Sequence, residues 1–166
     1  AVNYLTRSGI SQPGKIAIGG QSYGAFSAAN LLIHTDLFAT AVVLSGAYNR
    51  TLTPFGFQRE QRSFWDASEF YMSVSPFFQA NELTRPILIM HGADDENTGT
   101  PTFQSTRFFH ALVGEGATAR LVLQPYEGHH FRGTDTLLDT VAEMLEWLDK
   151  TIGPKAQPLP AKTDRP

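Results

Sequence analysis

The chain contains no cysteine at all, which rules out a disulfide scaffold, a thiolate metal site and a cysteine nucleophile together. It also lacks any block of like charge. Thirteen Lys and Arg against sixteen Asp and Glu give a formal net charge of −3, so the electrostatic footprint of a nucleic-acid binder or a polybasic membrane patch is missing. Apolar runs are strand-sized, far short of the roughly 20 residues a membrane-spanning helix requires. The opening residues, "AVNYLTRSGISQPGK", lack the charged-then-apolar layout of a secretory signal. They read as a helix end followed by turns at Gly9 and Pro13-Gly14, and they identify no compartment.

What is present is an ordinary globular composition: 166 residues, 42% hydrophobic and 17% charged, enough for one domain with a buried core. Four short apolar segments stand out: Lys15–Gly19, Ala39–Gly46, Arg85–Gly92 and the stretch "ARLVLQPYEG" from Ala119. Between them lie helical patterns. Ser22 to about His34 is rich in alanine and leucine. "PTFQSTRFFHALVGEG" puts Phe103, Phe108 and Leu112 on a helix closed by Gly114 and Gly116. The last segment, "TDTLLDTVAEMLEWLDKTI", carries Leu138, Val141, Met144, Leu145 and Leu148 at helical spacing. Strands alternating with helices, each strand continuously apolar, predict an α/β fold with a mostly parallel sheet and helices on both faces. Residues 47–84 break the rhythm. They are aromatic and polar, too long for a simple connection, and predict a functional loop with a short helix near Trp65–Tyr71. Residues 153–166, rich in proline, read as a disordered tail.

The chemistry gathers where strands end. Gly20-Gln21-Ser22-Tyr23-Gly24 follows the first strand and opens a helix, the second cluster is "HGADDEN", and the third is "YEGHHF". A lone glycine-x-serine-x-glycine is weak evidence in a chain this rich in glycine. Its strand-before, helix-after setting, with acid and histidine loops following in that order, is the chain order of an α/β-hydrolase triad. A serine hydroxyl needs an imidazole to take its proton, and the imidazole needs a carboxylate to fix its tautomer. The turn predicts a strained Ser22, with Gly20 and Gly24 excluding side chains that would collide. The Tyr23 N–H, at a helix N-terminus, would help hold the oxyanion. Chemistry alone leaves Asp94 and Asp95 open, and likewise His129 and His130. His91, at a strand end, reads as a packing or hydrogen-bonding residue, and His34 and His110, on helices, as structural ones. No metal-ligand spacing appears, so no metal or cofactor is expected.

"GGQSYGAF" and "PILIMHGADDENTG" resemble the nucleophile and acid segments of the prolyl oligopeptidase family of serine peptidases. "SGAYNRTLTPFGFQ" and "QSTRFFHALVGEG" resemble its glutamyl endopeptidase branch, whose plant members act in plastids. The resemblance covers roughly residues 1–152 and implies the C-terminal part of a hydrolase domain acting on peptides. It implies Ser22, Asp95 (four positions after His91) and His129 (after Glu127-Gly128) as the triad. Gly128, where the family has serine, and His130, where it usually has glycine, are departures that keep His130 as an alternative. The resemblance also implies an N-terminal β-propeller and further hydrolase strands, neither of which is in this sequence. "KIAIG", apolar on both faces, reads as a central strand that needs those neighbours. An acidic substrate residue is implied by the branch alone, with Arg50, Arg59 and Arg62 as available cations. A carboxylesterase of the same fold, or a fragment inactive by itself, is the alternative.

Overall fold

The computed structural model describes residues 1–154, so most of the expected tail lies outside the described residues. Four parallel strands, β1 (Ala17–Gln21), β2 (Thr40–Leu44), β3 (Ile87–Gly92) and β4 (Ala119–Gln124), lie side by side in chain order. Five α-helices accompany them: α1 (Val2–Arg7), α2 (Tyr23–His34), α3 (Ser68–Ser73), α4 (Phe103–Gly114) and α5 (Thr134–Ile152). Each parallel step needs a crossover, and α2 and α4 supply two of the three.

Alternation along β2 and β3 builds two cores. Ala41, Val43, Ile87 and Ile89 face α2 and α4, where Ala25, Ala28, Ala29, Leu32, Phe108 and Leu112 complete a buried cluster. The small residues of α2 let its backbone lie close to the sheet. Val42, Leu88 and Met90 point the other way onto Trp147, with Met144 and Leu148 beside it. The Trp147 indole donates to Thr40 Oγ1 at 2.8 Å, so α5 is fixed by a buried polar contact as well as by packing. Lys15 Nζ donates to the carbonyl oxygens of Ile152 and Gly153 and ties down the end of the same helix.

Several expectations need correction. The expectation that β1 needs a further neighbour is not one of them, since among the described residues it pairs with β2 alone, at an edge, and is only partly covered. The helical stripe on α5 divides: Met144 and Leu148 pack on the sheet, whereas Leu138, Val141 and Leu145 are exposed. A four-stranded sheet is too narrow to cover the whole apolar face. Phe103 likewise sits on the first turn of α4 but faces outward. The 47–84 segment holds two 3₁₀ turns (Arg50–Leu52 and Pro76–Glu82) and α3, which begins later than Trp65.

Candidate active site

β1 runs straight to Gln21, and the next residue turns sharply into α2. Ser22 has φ 56° and ψ −116°, a left-handed conformation that L-residues avoid, and its N–H is held by the Leu44 carbonyl of β2 at 2.9 Å. Gly20 is required because a Cβ there would lie 2.5 Å from the backbone of Gly24. Gly24 differs from expectation: a Cβ on it would meet nothing within 4 Å. The crowding at the turn is therefore one-sided, with Gly24 supplying the backbone against which Gly20 must fit. The Tyr23 N–H begins α2 and has no acceptor among the described residues, as the first turn of a helix leaves it.

β3 and β4 deliver the other two groups. Asp95 is buried (8% exposed), whereas Asp94 and Glu96 face solvent. His129 Nδ1 lies 2.9 Å from Asp95 Oδ2, and Thr100 Oγ1 is 2.9 Å from the same nitrogen. A carboxylate only accepts, so Nδ1 carries the proton and Nε2 is left as a proton acceptor. His130 makes no such contact. Its Nδ1 meets Gln21 Nε2 at 2.9 Å, and its ring stands edge-on to His129 with centroids 5.0 Å apart. The histidine loop crosses over the end of β3, where Gly92 gives it room: a Cβ there would press on the carbonyl oxygens of Glu127 and Gly128. Glu127 shapes the loop by accepting from the N–H groups of Arg132 (2.7 Å) and Gly133 (2.8 Å), which hold its carboxyl below the usual range.

Thr100 and Gln21 escaped the sequence reading, whereas His91 is the packing and hydrogen-bonding residue expected. His91 is fully buried. Its Nε2 meets Asp95 Oδ2 at 2.8 Å and the Thr100 carbonyl at 2.9 Å, and its Nδ1 meets Ser105 Oγ at 2.6 Å. Both neighbours of Nε2 only accept, so Nε2 bears the proton and Ser105 donates to Nδ1. This His91 is a neutral imidazole, its pKa lowered by burial despite the nearby carboxylate. Burial also works against the charge of Asp95, but hydrogen bonds from His129, the Asn97 N–H and His91 outweigh it and depress the pKa. One carboxylate thus sits between two imidazoles. Its i, i+4 relation to His91 was visible in "HGADD", but only the fold reveals that the histidine points inward.

Ser22, Tyr23, Arg50, Phe57 and the 97–100 turn line one cleft of about 480 Å³. A second cleft of about 710 Å³ lies behind the histidine loop and does not include Ser22. Among the described residues, no group of three His, Asp or Glu side chains is arranged to hold a metal ion.

Comparison with known proteins agrees with this architecture. The model of the prolyl oligopeptidase family matches residues 1–155. The probable chloroplastic glutamyl endopeptidase of Oryza sativa subsp. japonica is 50% identical over 151 residues, which are 90% of this chain and 16% of that protein. Its Arabidopsis thaliana counterpart is 47% identical over 166 residues, 99% of this chain and 17% of that protein. The chain therefore spans about a sixth of the length of these curated relatives. Among solved structures, uncomplexed Pyrococcus horikoshii acylaminoacyl peptidase superposes with a TM-score of 0.80 at 22% identity, over 94% of this chain and 27% of that one. A puromycin hydrolase gives 0.81 at 24% identity, over 96% and 25%. These two likenesses establish the α/β-hydrolase fold, and the family match together with the plant relatives leaves one conclusion: this chain belongs to the prolyl oligopeptidase family.

Proposed function

We propose that the chain carries the catalytic triad of a serine peptidase, with Ser22 as nucleophile, His129 as general base and Asp95 as its orienting carboxylate. Ser22 Oγ attacks the scissile carbonyl carbon as its proton passes to His129 Nε2. The carbonyl oxygen becomes an oxyanion facing the Tyr23 N–H. The C–N bond then breaks, His129 returns the proton to the departing amine, and the serine ester that remains is hydrolysed by water along the same route. The observation that carries this reading is the 2.9 Å contact of His129 Nδ1 with Asp95, because it leaves Nε2 unprotonated for the serine. The strained backbone of Ser22 supports it, since such strain persists where function requires it. A preference for an acidic substrate residue is supported by the names of the plant relatives.

The same reading makes this chain the C-terminal part of a larger hydrolase domain. The exposed apolar residues of α5 and the half-covered edge strand β1 support that assignment, as does the small share of the relatives that it spans. A second oxyanion donor and a substrate-restricting β-propeller would then come from the rest of the parent protein.

The test is labelling of the full-length protein with a neutral fluorophosphonate, beside hydrolysis of glutamyl peptides and short aryl esters. Labelling lost in Ser22→Ala, with peptides turned over, is expected. Labelling that survives Ser22→Ala would reject the nucleophile, and turnover of esters alone would make the enzyme a carboxylesterase.

A further inference from the structure

Three arginines lie in the 47–84 segment, and the structure treats them differently. Arg62 is engaged by Glu60, with Nε 2.9 Å and Nη2 2.8 Å from its two carboxylate oxygens. Arg59 is exposed and does not line the cleft. Arg50 is only 5% exposed, and its guanidinium makes no hydrogen bond or ion pair with any described residue. Its Nε is sealed from solvent without a partner.

The chain fixes Arg50 in place. Gln104 Oε1 accepts from the N–H groups of Tyr48 (3.2 Å) and Asn49 (2.9 Å), and Ser75 Oγ accepts from the Arg50 N–H at 2.8 Å. The guanidinium carbon then lies 4.2 Å from the Phe26 ring centroid, 4.7 Å from Phe57 and 5.4 Å from Tyr23. Ring faces offset part of the cost of desolvating the cation. Burial still pushes its pKa down to about 10, so it remains a cation at neutral pH. A buried charge without a counter-ion is costly, and structural arginines are ordinarily paired. This one is held rigid, facing a cleft whose lining contains Ser22 and not one carboxylate.

We infer that Arg50 reads the side-chain carboxylate of the substrate residue whose carbonyl Ser22 attacks. The planar fork of a guanidinium matches a carboxylate, and Tyr23 bridges the two ends of the site by following Ser22 in the chain while stacking near Arg50. This deepens the peptidase reading and rests on Ser22 being the nucleophile. The inference explains what the uncompensated cation is for: its missing counter-ion arrives with the substrate.

The experiment uses the full-length protein and peptides that differ only in Glu, Gln or Leu before the scissile bond, each made both amidated and with a free C-terminus. Each kcat/KM is referred to the rate of Ser22 labelling by a neutral fluorophosphonate. The wild type favours Glu over Gln, and Arg50→Met, which keeps the apolar stem, cuts that ratio by about 30-fold or more, the loss expected for one partner of a buried charge pair. Arg50→Lys keeps the charge without the fork and retains part of the preference. An unchanged Glu/Gln ratio in Arg50→Met, or no Glu preference in the wild type, overturns the role of Arg50 while leaving the labelled serine intact. A preference that follows a free C-terminal carboxylate instead of the side chain overturns it as well. Wild-type protein that resists labelling brings down the nucleophile assignment, and this inference with it.

Discussion

The side-chain amide of Gln21 donates to the carbonyl oxygen of His129 at 2.7 Å, joining the residue before Ser22 to a loop that leaves the opposite edge of the sheet. β1 and β4 are separated by two strands, so the histidine loop must lean across the rim to reach the serine side. The second amide hydrogen meets His130 Nδ1. Gln21 therefore latches both histidines at one point.

Loss of that latch should loosen His129 without unfolding the protein, because Gln21 is exposed and its partners stay hydrated. Gln21→Ala is expected to lower kcat/KM by about 10-fold, the scale on which misplacing a catalytic group is felt. Its thermal midpoint should stay within error of the wild type. A variant with full activity would show that His129 is held by Asp95 and Thr100 alone.

His91 supplies a pH-dependent test. Its pKa is lowered in the folded protein, so the unfolded chain binds the extra proton more readily. The stability it contributes is complete above the ordinary histidine pKa of about 6.5 and drains away as pH falls below it. Asp95, also depressed, adds a loss in the same direction at still lower pH. The thermal midpoint should fall on acidification, and His91→Gln, which preserves an Nε2 donor toward Asp95, should flatten the part of the curve nearest pH 6. His91→Leu should cost about 3 kcal/mol by stranding the Ser105 hydroxyl and the Thr100 carbonyl, and should move the acidic limb of the pH–rate profile upward. A profile left unmoved by His91→Leu would reduce His91 to packing.

The backbone of Ser22 is strained by about 1–3 kcal/mol if its dihedral angles cost what such outliers usually do. Ser22→Gly releases that strain while removing the proposed nucleophile. Calorimetry should show a more stable, inactive protein, by about 1 kcal/mol once the extra freedom of unfolded glycine is subtracted. A less stable variant would mean that the turn is not strained.

Gly92→Ala addresses the crossing of the loops. The new methyl would collide with the carbonyls of Glu127 and Gly128, so the loop carrying His129 must lift. Fluorophosphonate labelling should slow by at least about 100-fold, as expected when a catalytic group is displaced by an ångström, while the circular dichroism of the sheet persists. Rapid labelling of this variant would show that the loop accommodates the methyl.

The sequence made the sheet legible because continuous apolar strands and their glycine-rich ends are local signals. Ser22 was legible for the same reason: strand, glycine, serine, glycine and helix follow one another within ten residues. The choice of Asp95 over Asp94 was not, since adjacent aspartates differ only in which faces inward, and family resemblance had to stand in for geometry. Arg50 was one of three equivalent cations until the fold sealed it beside Phe26 and paired Arg62 elsewhere. Gln21 and His91 act through partners 108 and four residues away, respectively. Gln21 carries no mark in composition or spacing, and the four-residue spacing of His91 and Asp95 does not say that the histidine points inward. The error about Leu138, Val141 and Leu145 has a different source, for helical periodicity reports an apolar face without saying how wide its support is.

Because the four strands pair strictly in the sequence in which they are synthesised, the site matures late. The serine turn belongs to the first crossover and can form as soon as β2 gives Leu44 to hold it. Its proposed partner His129 lies in the loop that follows β4, the last strand of this sheet. On the triad proposed above, a nascent chain would therefore expose the Ser22 hydroxyl before its imidazole partner is in place.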